Sequence, residues 1–271
     1  MRYEFITTER RGNILQVTLN RPEVYNAMHP PMHHELAQVW DAYSADADLW
    51  VAVLTGAGDK AFTAGNDLKF TAAGGKSNMP PSGFAGLTQR FDLEKPIIAA
   101  VNGFAMGGGF ETALSCDIIL SAVTAPFALP EVKVGFFAAA GGVQRLSRYI
   151  GRLAAQELVL TGRSITAQEA LALGVVNAVV PKAELLDAAM AKAGSVDVQG
   201  KKATVVLLTA SGDEVGDDVE AILGGILPMT EEMTLFVKYK GSSVIAKKEQ
   251  KKFLAFMASL RIAAAETVPV E

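Results

Sequence analysis

The sequence predicts an α/β fold that gives way to an α-helical region near residue 185, and three observations carry that expectation. Short apolar runs of strand character alternate with segments whose apolar residues recur at helical spacing. Glycine or proline punctuates the junctions between them. With 271 residues, 50% hydrophobic and 20% charged, the chain has apolar surface enough for a large core and too little charge for disorder.

The elements follow in order. Residues 14–20 alternate, with Leu15, Val17 and Leu19 on one face, and read as a strand ended by Asn20-Arg21-Pro22. Residues 31–43 read as a helix opened by prolines, with Leu36, Val39, Trp40 and Tyr43 on its buried side. A short apolar strand over 50–55 closes at Gly56-Ala57-Gly58. The Gly-, Ser- and Pro-rich passage 72–86 is too polar and too interrupted for regular core, and reads as a mobile loop beside a site. Residues 96–101 form the next strand, 107–115 a short buried helix and 117–122 another strand. Helices are expected over 144–150 and 153–160. Thr166-Ala167-Gln168-Glu169 is a capping box opening a helix that ends at Gly174. Residues 175–180 return as a strand, and Pro181 closes the α/β part. The division is therefore a core over 1–184 and a helical region over 185–271.

Charge and rare residues narrow the function. A net charge of −4 argues against nucleic acid as a partner. Lys238, Lys240, Lys247, Lys248, Lys251 and Lys252 read either as the solvated face of a helix or as an anion site. The single Cys116 excludes an intrachain disulfide and a multi-cysteine zinc site. His29 and His33 have the spacing of a metal pair, but the two prolines between them suit a helix entrance, so no metal centre is expected. The amino terminus lacks an apolar signal core and no apolar run reaches membrane length, so a cytoplasmic protein without membrane contact is expected.

The chemistry concentrates in Val101-Asn102-Gly103-Phe104-Ala105-Met106-Gly107-Gly108-Gly109-Phe110-Glu111. A strand that runs through glycines into a helix presents free backbone N–H groups to an anion or to a carbonyl gaining negative charge. Half of an oxyanion hole, a phosphate site and a purely structural tight turn all fit that pattern, although neither a Walker lysine nor dinucleotide-binding spacing accompanies it. Glu111 sits one turn away in apolar company, and Glu131 lies in Phe127-Ala128-Leu129-Pro130-Glu131-Val132. Two such carboxylates divide acid and base roles, or are satisfied core groups.

Further motifs recur in one order. They are Asn20-Arg21-Pro22 with Asn26-Ala27-Met28, Phe62-Thr63-Ala64-Gly65-Asn66-Asp67-Leu68, Lys95-Pro96 through Asp117, Pro130-Glu131 through Gly142-Val143-Gln144-Arg145-Leu146, and Leu160-Thr161-Gly162-Arg163. In this order the chain resembles the enoyl-CoA hydratase/isomerase, or crotonase, superfamily from about residue 14 to 181. The resemblance implies a crotonase-like β-β-α superhelix (spiral) with a C-terminal α-helical oligomerisation region, assembled as a homotrimer or a hexamer built as a dimer of trimers. It implies an acyl-CoA thioester as substrate, no separate cofactor, and an oxyanion hole from the backbone N–H groups of Asn66 and Gly108. Glu111 would activate water and Glu131 would protonate C2, making the chain an enoyl-CoA hydratase. A 3,2-enoyl-CoA isomerase, a specialised dehydratase and a non-catalytic acyl-CoA-binding scaffold are the alternatives. CoA would lie against Val24, Ala27, Ala64, Asp67, Leu68 and Lys69. Where many hydratases carry Gly-x-x-Pro-Gly-x-Gly-Gly, this chain has Gly135-Phe136-Phe137-Ala138-Ala139-Ala140-Gly141-Gly142. Phe136 and Phe137 are thus expected in the acyl pocket or the core, and Ala139 near the water.

Overall fold

The computed structural model describes residues 3–76 and 78–191, and the strand backbone of 194–198, 201–209, 220–228 and 234–242. The chain opens with an antiparallel hairpin of β1 (Ile6–Arg11) and β2 (Ile14–Leu19), with Ile6 facing Leu19 and Arg11 facing Ile14. Leu15, Val17 and Leu19 are buried, as their alternation requires. Helix α1 (Pro30–Ala45) follows, with His29 as its N-cap and prolines in its first turn. Its buried stripe includes Leu36, Val39, Trp40 and Tyr43. Trp40 is fully buried, so its truncation to Ala would cost about 3–5 kcal/mol.

From here the chain winds. β3 (Val51–Gly56) lies parallel to β2 and is followed by β4 (Ala61–Thr63) and α2 (Leu68–Ala72). The next turn is β5 (Ile97–Val101), β6 (Phe104–Met106) and α3 (Gly108–Leu114). The third begins with β7 (Ile118–Ala122) and β8 (Phe127–Ala128), then passes through α4 (Gly142–Ile150), α5 (Arg152–Thr161) and α6 (Ala167–Ala172). β9 (Ala178–Val180) and α7 (Leu185–Ala191) complete it. The large sheet has the order β1-β2-β3-β5-β7-β9 and the small one β4-β6-β8. Both sheets thus follow chain order, with each turn contributing a strand to both and β9 closing the large one, and this is the expected spiral of β-β-α units. β5 and β7 are buried at every position, which suits central parallel strands covered on both faces.

Three expectations need correction. The small sheet was not foreseen, because its strands are only two or three residues long and carry no readable period. Residues 83–86, at the end of the passage placed by composition in a mobile loop, are buried together with Leu87 and Thr88. They hold a short 3-10 turn (Phe84–Gly86) against α1, with Trp40 Nε1 donating to the Ala85 carbonyl at 3.0 Å. Finally, the helical reading of 185–271 holds for α7 and fails for the described strands that follow it. β10 (Gly194–Val198), β11 (Lys201–Thr209), β12 (Glu220–Pro228) and β13 (Thr234–Ser242) form an antiparallel sheet in chain order. Thr204, Val205, Val206, Phe236, Val237 and Tyr239 are β-branched or aromatic types that favour a pleated surface over a helix. Lys238 and Lys240 belong to β13 and not to a helix, while Lys247, Lys248, Lys251 and Lys252 lie outside the described residues.

Candidate active site

The motifs of the first turn build one scaffold. Asn26, fully buried, donates from Nδ2 to the carbonyls of Ala57, Ala61 and Phe62 at 2.9–3.2 Å and accepts the Arg21 N–H at 3.0 Å. The Thr63 hydroxyl donates to the Asn26 carbonyl at 2.7 Å and accepts the Gly65 N–H at 3.0 Å. Asp67 pairs with Arg21 at 2.9 Å and caps α2 by accepting the Phe70 N–H. Burial pulls its carboxyl up, but the Phe70 amide and Arg21 outweigh that and hold it below its ordinary value.

The glycines let α3 press against this scaffold. Gly107 makes the turn with φ 55°, its N–H donating to the Ala128 carbonyl at 2.9 Å. A Cβ on Gly109 would lie 2.3 Å from the Thr63 carbonyl oxygen, and one on Gly65 would lie 2.8 Å from the Gly108 nitrogen. Asn66, next to Gly65, and Gly108 thereby come to one cavity. Among the described residues, no internal hydrogen bond uses the backbone N–H of either. Gly108 opens α3, where an N–H has no intrahelical acceptor.

Both groups line an open cavity of about 750 Å³, together with Glu111 and Glu131. Glu111 is 3% exposed, and its Oε1 accepts the Gly142 N–H at 2.8 Å. Burial pushes its carboxyl up to about 7; the Gly142 and Ala140 amides and Arg145 oppose the rise, and the charge of Glu131 adds to it. Burial likewise raises the Glu131 carboxyl, whose Oε2 has no hydrogen-bond partner among the described residues. Two carboxyls raised by burial, beside two N–H donors unused among the described residues, can move protons at a carbon next to a polarised carbonyl.

Residues 9–251 match the enoyl-CoA hydratase/isomerase family. The chain belongs to the enoyl-CoA hydratase/isomerase family. Among its relatives, a carnitinyl-CoA dehydratase of Escherichia coli (strain K12) is 48% identical over 186 residues, covering 68% of this chain and 71% of that protein. The crystal structure of a carnitinyl-CoA hydratase from Mycobacterium avium matches with a TM-score of 0.67 at 43% identity, over 69% of this chain and 72% of that one. An enoyl-CoA hydratase from Mycobacterium tuberculosis H37Rv gives 0.65 at 42% identity, over 69% and 73%. The spiral is the crotonase fold, and the chain is an enzyme of this family.

The cavity gathers most of the residues singled out in the sequence. Ala64, Asn66, Leu68, Gly108, Glu111, Glu131, Phe136, Phe137 and Ala139 all line the cavity, while Val24, Ala27, Asp67 and Lys69 lie outside its wall. Both Asp67 carboxylate oxygens are engaged internally, so its side chain shapes the loop. Phe136 and Phe137 are 66% and 73% exposed, which places them on the rim and removes the core-filling alternative. Sequence reasoning missed Phe84, Thr88 and Gln89, which form the wall opposite in chain order to the glutamates. It also missed the bracing of that wall. His33, pushed down to about 3 by burial and therefore neutral, accepts the Ala85 N–H through Nδ1 at 3.0 Å. Arg145 donates to the Thr88 carbonyl at 2.7 Å and to the Ala140 carbonyl at 3.2 Å. The bulky Phe84 between Gly83 and Gly86, with Leu87 directly after them, was the available signal, since apolar residues in a polar loop mark something covered.

Among the described residues, no helix is long and apolar enough to cross a membrane.

Proposed function

We propose that the enzyme adds water reversibly across the C2–C3 double bond of a 2-enoyl-CoA, giving a 3-hydroxyacyl-CoA. The observation that supports this most is the pair Glu111 and Glu131, both raised by burial, in one cavity with the unused N–H groups of Asn66 and Gly108. The Glu111 carboxylate takes a proton from water as the water oxygen bonds to C3. The C2–C3 π pair moves toward C2 and the thioester oxygen, where the two N–H groups hold the developing charge. Glu131, protonated, then donates to C2. The proton left on Glu111 returns to Glu131 through solvent, and the reverse sequence expels water. One N–H donor of this kind contributes about 3–4 kcal/mol of barrier lowering. Such proton transfers need neither metal nor redox cofactor, and CoA enters as part of the substrate.

The dehydration direction on a polar acyl-CoA is the second reading, favoured by relatives at 48% identity that are named carnitinyl-CoA dehydratase. Assembly as a homotrimer or dimer of trimers belongs to the same proposal. The exposed Leu153 and Leu160 of α5 support it, and a monomer in sedimentation velocity would count against it.

The test is a panel of 2-enoyl-CoAs, from crotonyl to branched and aromatic, followed by loss of conjugated-thioester absorbance and identification of the product. Formation of 3-hydroxyacyl-CoA that collapses in Glu111→Gln and in Glu131→Gln supports the reading. Consumption with a moved double bond and no added oxygen would replace it by isomerisation.

A further inference from the structure

Residues 83–88 form a wall of the cavity whose backbone is pinned by other elements. The Ala85 N–H donates to His33 Nδ1 and the Ala85 carbonyl accepts from Trp40 Nε1, each at 3.0 Å. The Thr88 N–H donates to the Phe84 carbonyl at 3.1 Å, and the Thr88 carbonyl accepts from Arg145 Nη2 at 2.7 Å. Ala85 is held at φ 55°, a left-handed conformation that a residue with a Cβ adopts at a cost, so the wall is over-determined. One polar atom of this wall stands apart. Thr88 is 3% exposed and lines the cavity, yet among the described residues its Oγ1 has no hydrogen-bond partner.

A buried hydroxyl without a partner is unfavourable, and its natural complement is a group that arrives with a ligand. Close by in the chain, the Gln89 side chain is exposed at the same cavity and offers an amide that both donates and accepts. The remaining lining includes the apolar Phe84, Met79, Phe136 and Phe137 and the exposed Lys133. The wall therefore combines a hydrocarbon surface with one fixed hydroxyl, an arrangement that distinguishes a chain bearing a polar group from one that does not.

We propose that Thr88 is a specificity-determining residue, whose hydroxyl hydrogen-bonds a polar substituent on the acyl chain beyond C3. The preferred substrates are then short acyl-CoA thioesters with a hydrogen-bonding group on the acyl chain, not simple hydrocarbon acyl chains. This inference rests on the reading of the cavity as the acyl-CoA site.

The test uses saturated thioesters, which bind without turnover, titrated calorimetrically into the full chain: butyryl-CoA, 4-hydroxybutyryl-CoA and 4-(trimethylammonio)butyryl-CoA. A single neutral hydrogen bond corresponds to a preference of about three- to tenfold for the hydroxylated ligand over butyryl-CoA. Thr88→Val, which keeps the shape, erases that preference; Thr88→Ser retains it. Equal affinities in the wild type, or a preference that survives in Thr88→Val, overturn the assignment. So does a preference confined to the quaternary ammonium ligand and indifferent to Thr88. If butyryl-CoA and both analogues all fail to bind, the acyl-CoA reading of the cavity falls, and this inference with it.

Discussion

Replacing Glu111 by Gln separates what this carboxyl does for chemistry from what it costs the fold. Burial raises Glu111 from its ordinary 4.5 to about 7, so between those values the native state holds a proton that the unfolded chain has released. Stability therefore falls as pH rises from 4.5 to about 7 and stays lowered above. At about 1.4 kcal/mol per pH unit, the gap amounts to up to roughly 3 kcal/mol. Gln is neutral throughout and can still accept the Gly142 N–H that Oε1 accepts at 2.8 Å. The variant should thus match the wild type near pH 4.5 and exceed it at pH 8, by up to roughly 3 kcal/mol, while activity falls by about a hundredfold or more. Urea unfolding of both proteins at several pH values reads the difference directly. A stability difference that does not change between pH 5 and pH 8 would refute the account of Glu111 as a desolvated carboxyl.

Other outcomes follow from the same geometry. Gly65→Ala places a Cβ 2.5 Å from the Met106 carbonyl oxygen at φ 83°, so the connection between β4 and α2 that carries Asn66 must move from α3. A shift on the order of 1 Å between the two N–H donors should lower kcat about tenfold to a hundredfold in protein that circular dichroism shows folded; an unchanged kcat would contradict their pairing. Thr166→Ala removes the hydroxyl that accepts the Glu169 N–H at 3.1 Å, and should destabilise by about 1 kcal/mol in thermal unfolding without altering kcat. Cys116 is buried, with burial pushing its thiol well up, so it should resist a thiol-specific disulfide reagent in native protein and react after unfolding.

What the sequence disclosed depended on how each signal is carried. β2 and α1 were legible because burial imposes a period on six and sixteen residues. The Thr166 cap was legible because its chemistry is local. β4, β6 and β8 were not, since a strand of two or three residues exists only through its neighbours. β1 escaped for the opposite reason: apart from Ile6 it is exposed, so no apolar face marks it. The glycines and both glutamates could be found because each violates a local preference. The wall at 83–88 could not, because what buries it is His33, Trp40 and Arg145, up to 57 residues away. The C-terminal strands were misread as helix, where β-branched residues in 201–209 already leaned the other way.

The most direct measurement of the central claim is a single incubation of crotonyl-CoA with the enzyme in heavy-oxygen deuterium oxide, read by mass spectrometry and NMR. The account predicts one deuterium at C2 and one heavy oxygen at C3 of the product, with neither step detectable in Glu111→Gln. Deuterium without heavy oxygen, or recovery of unlabelled crotonyl-CoA from protein that binds it, would contradict it.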